Sequence, residues 1–198
     1  MYIARILYPV KVLGPGNRIG IWFDGCKHHC YNCSNPELWE TKERYKVTVN
    51  QVMRLIQDIA THYPIDGFTL TGGDPFFQPE ALNELLPLLH NYSDDILIYT
   101  GYYYEDIFDK YSHLVKQAAV IIDGPYIDKK NVNCTLRGSN NQRIFINSGF
   151  EDKYHNYIQS TQNKIQNFAT KDGIISVGIH SSNFDKDIQE KFTKQERE

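Results

Sequence analysis

Short apolar runs rich in β-branched and aromatic residues recur at positions 19–23, 68–70, 96–99, 119–122, 143–146 and 174–179. Their length and their lack of polar alternation predict buried strands. Between the first two, Val49, Val52, Met53, Ile56, Ile59 and Ala60 share one face at helical spacing, and Thr48 with Gln51 has the pattern of a capping box. That predicts an amphipathic helix over residues 49–62. Residues 78–89 carry Pro79 near the first helical position and Leu82, Leu85, Leu86 and Leu89 at helical spacing, so a second helix links the second strand to the third. Residues 104–111 and 152–168 are predicted as further helices, and residues 2–9 as an added edge strand before the turn Gly14-Pro15-Gly16-Asn17. Strands alternating with helices imply βαβ crossovers, an α/β fold with a mostly parallel sheet, and a ligand site beyond the C-terminal ends of the strands.

A length of 198 residues suits one core, and the expected organisation is a single domain over 1–184 followed by a charged helix or tail at 185–198. The hydrophobic fraction of 41% and charged fraction of 23% are those of a globular protein. A net charge of −3 gives no global attraction to nucleic acid or anionic lipid. No stretch approaches the roughly 18 apolar residues that span a bilayer, and the start Met1-Tyr2-Ile3-Ala4-Arg5 lacks the plan of a signal peptide. The expected address is the cytoplasm, with neither membrane nor nucleic acid as partner.

Three of the four cysteines fall within Cys26-Lys27-His28-His29-Cys30-Tyr31-Asn32-Cys33, directly after the first buried strand. Disulfides usually staple distant parts of a chain, so a metal or cluster explains this loop better. Three thiolates on a cubane of four irons leave one iron open, which suits chemistry at the cluster more than electron storage. The other reading is structural zinc with His28 or His29 as fourth ligand, although such sites usually present two ligand pairs a dozen or more residues apart. Cys134 stands alone in a polar segment and is read as a structural thiol.

Leu70-Thr71-Gly72-Gly73-Asp74-Pro75 leaves the second strand and precedes a helix. The glycines allow backbone to approach a ligand, and Asp74 offers an acceptor to an ammonium group. It is not a phosphate loop, because Lys and Ser/Thr are missing at the required offsets.

Gly25-Cys26, His28, Cys30 and then Cys33-Ser34-Asn35-Pro36-Glu37 with Trp39 resemble the radical S-adenosylmethionine superfamily, in particular the activating proteins of anaerobic ribonucleoside-triphosphate reductase and other glycyl-radical-enzyme activases. Asn32 departs from the aromatic that often precedes the third cysteine in the superfamily, and Asp74 from its Gly-Gly-Glu motif. The resemblance covers about residues 19–146. It implies a partial, open β/α barrel in which Cys26, Cys30 and Cys33 hold a [4Fe–4S] cluster. It implies, too, that Gly72, Gly73 and Asp74 bind the methionine end of S-adenosylmethionine, with Thr100, in Tyr99-Thr100-Gly101-Tyr102, beside it. The reaction implied is reductive cleavage to a 5′-deoxyadenosyl radical that generates a glycyl radical on a large partner enzyme, an anaerobic ribonucleotide reductase, with flavodoxin or ferredoxin as electron donor. A small metabolite or ribosomally made peptide as target, or a non-catalytic iron–sulfur or zinc protein, remain open alternatives.

Asp123 in Asp123-Gly124-Pro125-Tyr126 and Arg137 in Leu136-Arg137-Gly138-Ser139 also match family segments. A turn accounts for the first, whereas Arg137 could meet a substrate carboxylate or phosphate. Val177-Gly178-Ile179-His180 resembles a segment through whose backbone family members contact adenine, but it is read as a buried strand with a terminal histidine.

Overall fold

The computed structural model describes residues 1–171 and 173–184. Strands β1 (Ile3–Val10), β2 (Arg18–Phe23), β3 (Gly67–Gly72), β4 (Ile96–Tyr99), β5 (Val120–Asp123) and β6 (Arg143–Ile146) form one sheet in that spatial order. The pairs β2–β3, β3–β4 and β4–β5 are parallel, and β1 and β6 lie antiparallel at the two edges. Helices α1 (Val49–His62), α2 (Pro79–Leu89) and α3 (Tyr104–Val115) cross over between the parallel strands.

Alternation along the strands separates the faces. Ile19, Ile21 and Phe23 of β2, Phe68 and Leu70 of β3, Ile96 and Ile98 of β4 and Ile121 of β5 pack with Val52 and Ile56 of α1, Leu82, Leu85, Leu86 and Leu89 of α2, and Ile107 and Leu114 of α3. That layer is the main core. The other face, with Trp22, Leu97, Tyr99, Val120 and Ile122, meets α4 (Glu151–Ser160) and the antiparallel pair β7 (Ile165–Thr170) and β8 (Gly173–Gly178). The capping box of α1 is present as expected: Gln51 N–H donates to the Thr48 hydroxyl and Thr48 N–H to the Gln51 side chain.

Three expectations need correction. The helix predicted over 152–168 ends at Ser160, and residues 165–170 are strand β7, because Ile165, Phe168 and Ala169 pair in register with β8. Residues 174–179 are not a buried strand: Ile174 is 71% exposed in a two-stranded sheet of its own. The helix predicted over 104–111 runs on to Val115, with a non-helical break at Tyr111. The tail expected at 185–198 lies outside the described residues.

At the N-terminal end of the parallel strands lies a buried polar group that no sequence motif announced. Arg18 is fully buried; its Nε donates to the Thr69 hydroxyl at 2.8 Å, and its Nη2 to the Phe68 carbonyl at 2.5 Å and to Asp95 Oδ1 at 3.0 Å. The hydroxyl of buried Tyr154 donates to Asp95 at 2.5 Å, and Lys153 stands 2.5 Å from the other oxygen as an ion pair. These contacts fasten α4 under the sheet. Burial would push the Asp95 carboxyl up, but Arg18 and the donors Lys153 and Tyr154 outweigh it and hold it below its ordinary value.

Removing one partner strands the other charge, so Asp95→Ala is expected to cost about 3–5 kcal/mol in urea unfolding of the metal-free protein. Because the folded carboxyl titrates below the unfolded one, its stabilisation is complete above the unfolded range and is lost as pH falls through the lowered value. Asp95→Asn should flatten that acid limb.

Candidate functional site

The C-terminal ends of β2 to β5 deliver the chemistry to one place. β2 leads into Asp24-Gly25-Cys26, β3 ends in Gly72 before Gly73-Asp74, β4 is followed by Thr100-Gly101, and β5 ends at Asp123 before Gly124. Gly73 N–H donates to the Phe23 carbonyl and Asp74 N–H to the Gly25 carbonyl, both at 2.8 Å. Gly25 and Cys26 donate in turn to the Leu38 and Trp39 carbonyls at 2.8 Å. The backbones approach so closely that a Cβ on Gly73 would lie 2.4 Å from the Gly25 oxygen. Gly72, at φ +105, allows the turn.

Within the cysteine loop, His29 and Asn32 adopt positive φ of 46 and 55, each immediately before a cysteine. Asn is among the few side chains that tolerate this conformation, which accounts for the absence of an aromatic at position 32. The two reversals turn Cys26, Cys30 and Cys33 onto one cavity of about 180 Å³. Each sulfur meets backbone N–H: His28 and His29 at Cys26, Tyr126 at Cys30, and Asn35 at Cys33, the last at 3.4 Å. Burial pushes the Cys26 thiol up to about 11 and raises that of Cys30 as well, against the lowering effect of those N–H groups.

Three thiols with amide donors at sulfur fit an iron–sulfur cubane, whose ligands sit on different irons and whose sulfurs accept hydrogen bonds. They fit zinc less well. Both candidate histidines are engaged elsewhere: His29 stacks on Trp39 with ring centres 4.8 Å apart, and His28 Nε2 faces Asp74. Among the described residues no three His, Cys, Asp or Glu side chains converge as ligands of a single ion.

Asp74 is almost wholly buried, at 1% exposure, and its carboxylate is already occupied by protein donors. Oδ1 accepts from Phe76 N–H at 2.9 Å and the Thr100 hydroxyl at 3.0 Å, and Oδ2 accepts from Gly101 N–H at 2.8 Å. His28 Nε2 lies 3.3 Å from Oδ2, within ion-pair reach but not aligned as a hydrogen bond. The His28 ring is wedged against Gly101, where a Cβ would come within 2.4 Å, and meets Tyr102 edge-on. Cys26, Cys30, Cys33, Gly72, Gly73, Asp74 and Thr100 thus all border the same cavity.

Leu13 and Trp22 had no motif to announce them, whereas Tyr99 stands in the Tyr99-Thr100-Gly101-Tyr102 segment. Leu13, Trp22 and Tyr99 form an apolar wall, and the buried Tyr99 hydroxyl has no hydrogen-bond partner in the protein. β8 and the residues after it, from Ser176 to His180, supply another wall, although they read as ordinary strand. Asp123 is absorbed by structure: it pairs with Arg143 and accepts from Tyr104 N–H at 2.8 Å at the start of α3. Arg137 donates to the Gln142 carbonyl of its own loop at 3.1 Å, and it is Gly138 and Gln142 that reach the cavity.

The family model described as a 4Fe-4S single cluster domain matches residues 12–145. The anaerobic ribonucleoside-triphosphate reductase-activating protein of Enterobacteria phage T4 is 36% identical over 148 residues, covering 72% of this chain and 92% of the phage protein. The chain belongs to this activating-protein family. The family's protein from Vibrio cholerae is 31% identical over 145 residues, covering 69% of this chain and 93% of its own. A pyruvate formate-lyase-activating enzyme of Clostridium pasteurianum is 27% identical over 125 residues, or 61% of this chain and 51% of that enzyme. The cysteine loop, Gly72-Gly73-Asp74 and Thr100 all lie inside the matched family domain, whereas β8 lies beyond it.

With its thiol raised, Cys26 should carry little thiolate at neutral pH. In the metal-free protein under anoxia, iodoacetamide should label Cys26 at pH 8 far more slowly than a cysteine in an unstructured peptide, with the rate rising toward pH about 11, as read by peptide mass spectrometry.

Proposed function

We propose that this protein is a radical S-adenosylmethionine activase in which Cys26, Cys30 and Cys33 bind a [4Fe–4S] cluster and the β3 and β4 ends seat S-adenosylmethionine beside it. The observation that carries this reading is the meeting, on one cavity, of three amide-supported thiols and the Gly72-Gly73-Asp74 turn. When bound, the cluster supplies one electron and an open iron, at which S-adenosylmethionine is cleaved to methionine and a 5′-deoxyadenosyl radical that takes hydrogen from a glycine of the partner enzyme.

The chain's own residues do the placing. The glycine turn brings backbone to the ligand's methionine end. Asp74 contributes negative charge for the ammonium group while its oxygens hold the Thr100 hydroxyl and Gly101 N–H in position. Leu13, Trp22 and Tyr99 offer an apolar wall to the adenosyl part and exclude water from the radical.

The six-stranded sheet ends in two antiparallel edges, β1 and β6, that do not pair with each other, which we read as an open, partial barrel whose mouth admits a loop of another protein. An anaerobic ribonucleoside-triphosphate reductase is the partner that the relatives' names indicate. A flavodoxin or ferredoxin would supply the electron, and an exposed iron calls for an anoxic cytoplasm. Among the described residues no helix is long and apolar enough to cross a membrane.

Anoxic reconstitution should load about four irons per chain, and reduction with S-adenosylmethionine should release 5′-deoxyadenosine. Alanine at any one of Cys26, Cys30 or Cys33 should remove the cluster absorbance and all cleavage. Asp74→Asn should keep the iron content and weaken S-adenosylmethionine binding by about tenfold or more. A wild-type protein that carries the cluster yet forms no 5′-deoxyadenosine overturns the assignment.

A further inference from the structure

In the polar segment Ser139-Asn140-Asn141-Gln142, three side chains are directed at one short stretch of backbone, the turn that follows β5. Gln142 Nε2 donates to the Gly124 carbonyl at 2.9 Å, and Asn141 Nδ2 to the Pro125 carbonyl at 2.8 Å. The hydroxyl of buried Ser139 accepts from Ile127 N–H at 3.1 Å. Gln142 Oε1 closes its own loop by accepting from Gly138 N–H at 2.8 Å. The backbone is thus gripped on both sides of Tyr126. The Tyr126 ring is fixed as well, because its hydroxyl lies between Asn131 Nδ2 at 3.1 Å and Asp128 at 2.9 Å.

Tyr126 N–H is one of the amides that meet the Cys30 sulfur. The amides at Cys26 and Cys33 come from His28, His29 and Asn35, close in sequence to the sulfurs they serve. Tyr126 instead arrives from the far end of β5, so its N–H has to be aimed by contacts from elsewhere. Of the three gripping contacts, that of Asn141 differs in kind. The Pro125 carbonyl and the Tyr126 N–H are the two ends of a single planar peptide group. A donor at the oxygen polarises the whole group and makes the N–H at its other end a stronger donor.

We propose that Asn141 is a positioning residue for the cluster: through the Pro125–Tyr126 peptide it aims and strengthens the hydrogen bond at the Cys30 sulfur, and so raises the cluster's reduction potential. The proposal rests on the radical reading of the site, with a [4Fe–4S] cluster on the three cysteines. On reduction the cluster gains one electron and one negative charge, while no bond or proton moves. A donor at a ligand sulfur therefore favours the reduced form. The Tyr126 N–H is main chain, so Asn141 sets its strength and not its presence. Ser139 and Gln142 hold the neighbouring peptides and keep the turn in place.

The test is a redox titration of the cluster-loaded protein without S-adenosylmethionine. An electrode with mediator dyes supplies the electron, and the electron paramagnetic resonance signal of the reduced cluster reports its arrival. Asn141→Leu should lower the ratio of reduced to oxidised cluster at a fixed potential about threefold, which for one electron is a downward shift of about 28 mV. Asn141→Asp keeps the shape of the side chain, loses the donor and adds negative charge. It should lower the ratio further, and it carries the test if the leucine variant fails to load. Ser139→Ala removes a bond from the same loop but leaves the Asn141 contact, so its potential should match the wild type. Wild-type potentials in the Asn141 variants, or an equal fall in Ser139→Ala, would overturn the proposal. Because the titration needs no turnover, a protein that shows the shift yet never yields 5′-deoxyadenosine would instead sink the radical reading.

Discussion

The carboxylate of Asp74 is the junction on which the arrangement of the site depends. Its own backbone N–H is bonded to the Gly25 carbonyl, so β3 is tied to the cysteine loop. Its side-chain oxygens accept from Phe76 and Gly101 N–H and from the Thr100 hydroxyl, so the turn before α2 and the end of β4 are held as well. His28 reaches it from the cysteine loop. A buried carboxylate with this many donors is a rigid anchor, because moving any one element leaves charge or amide unsatisfied in a poorly solvated place.

The two ends of the parallel sheet are built by opposite means. At the N-terminal end Arg18 and Asp95 form a closed group in which donors and charges answer one another, and it accepts no outside molecule. At the C-terminal end polar groups, the three free thiols among them, are arranged around a space. The first end supplies rigidity and the second supplies chemistry, in keeping with the rule that open α/β sheets bind at the strands' C-terminal ends.

Much of this was legible in the sequence where a local pattern maps onto a local structure. The spacing of Val52 and Ile56 with the Thr48–Gln51 cap gave α1 to the residue, and the cysteine spacing pointed to a shared ligand. What local pattern could not carry were contacts between distant segments. Arg18 looks like the polar start of a strand until Asp95 is brought to it, and residues 165–170 carry no strand signal stronger than the helical one before them. The role of Asp74 was legible only in part: the sequence showed an acid near a ligand, and the fold shows that acid also binding its own chain. Asp123 and Arg137 show the reverse, since matching a family segment did not put either side chain in the cavity lining.

The amide groups that point at Cys26, Cys30 and Cys33 belong to the main chain of His28, His29, Tyr126 and Asn35. A side-chain donor disappears with a single codon change, but a main-chain donor persists through every substitution except proline. The polar surroundings of the three sulfurs are therefore insulated from mutational drift. Exposed side chains of the loop such as Tyr31 can change without removing those donors, whereas His29 and Asn32 are confined to residues that tolerate positive φ.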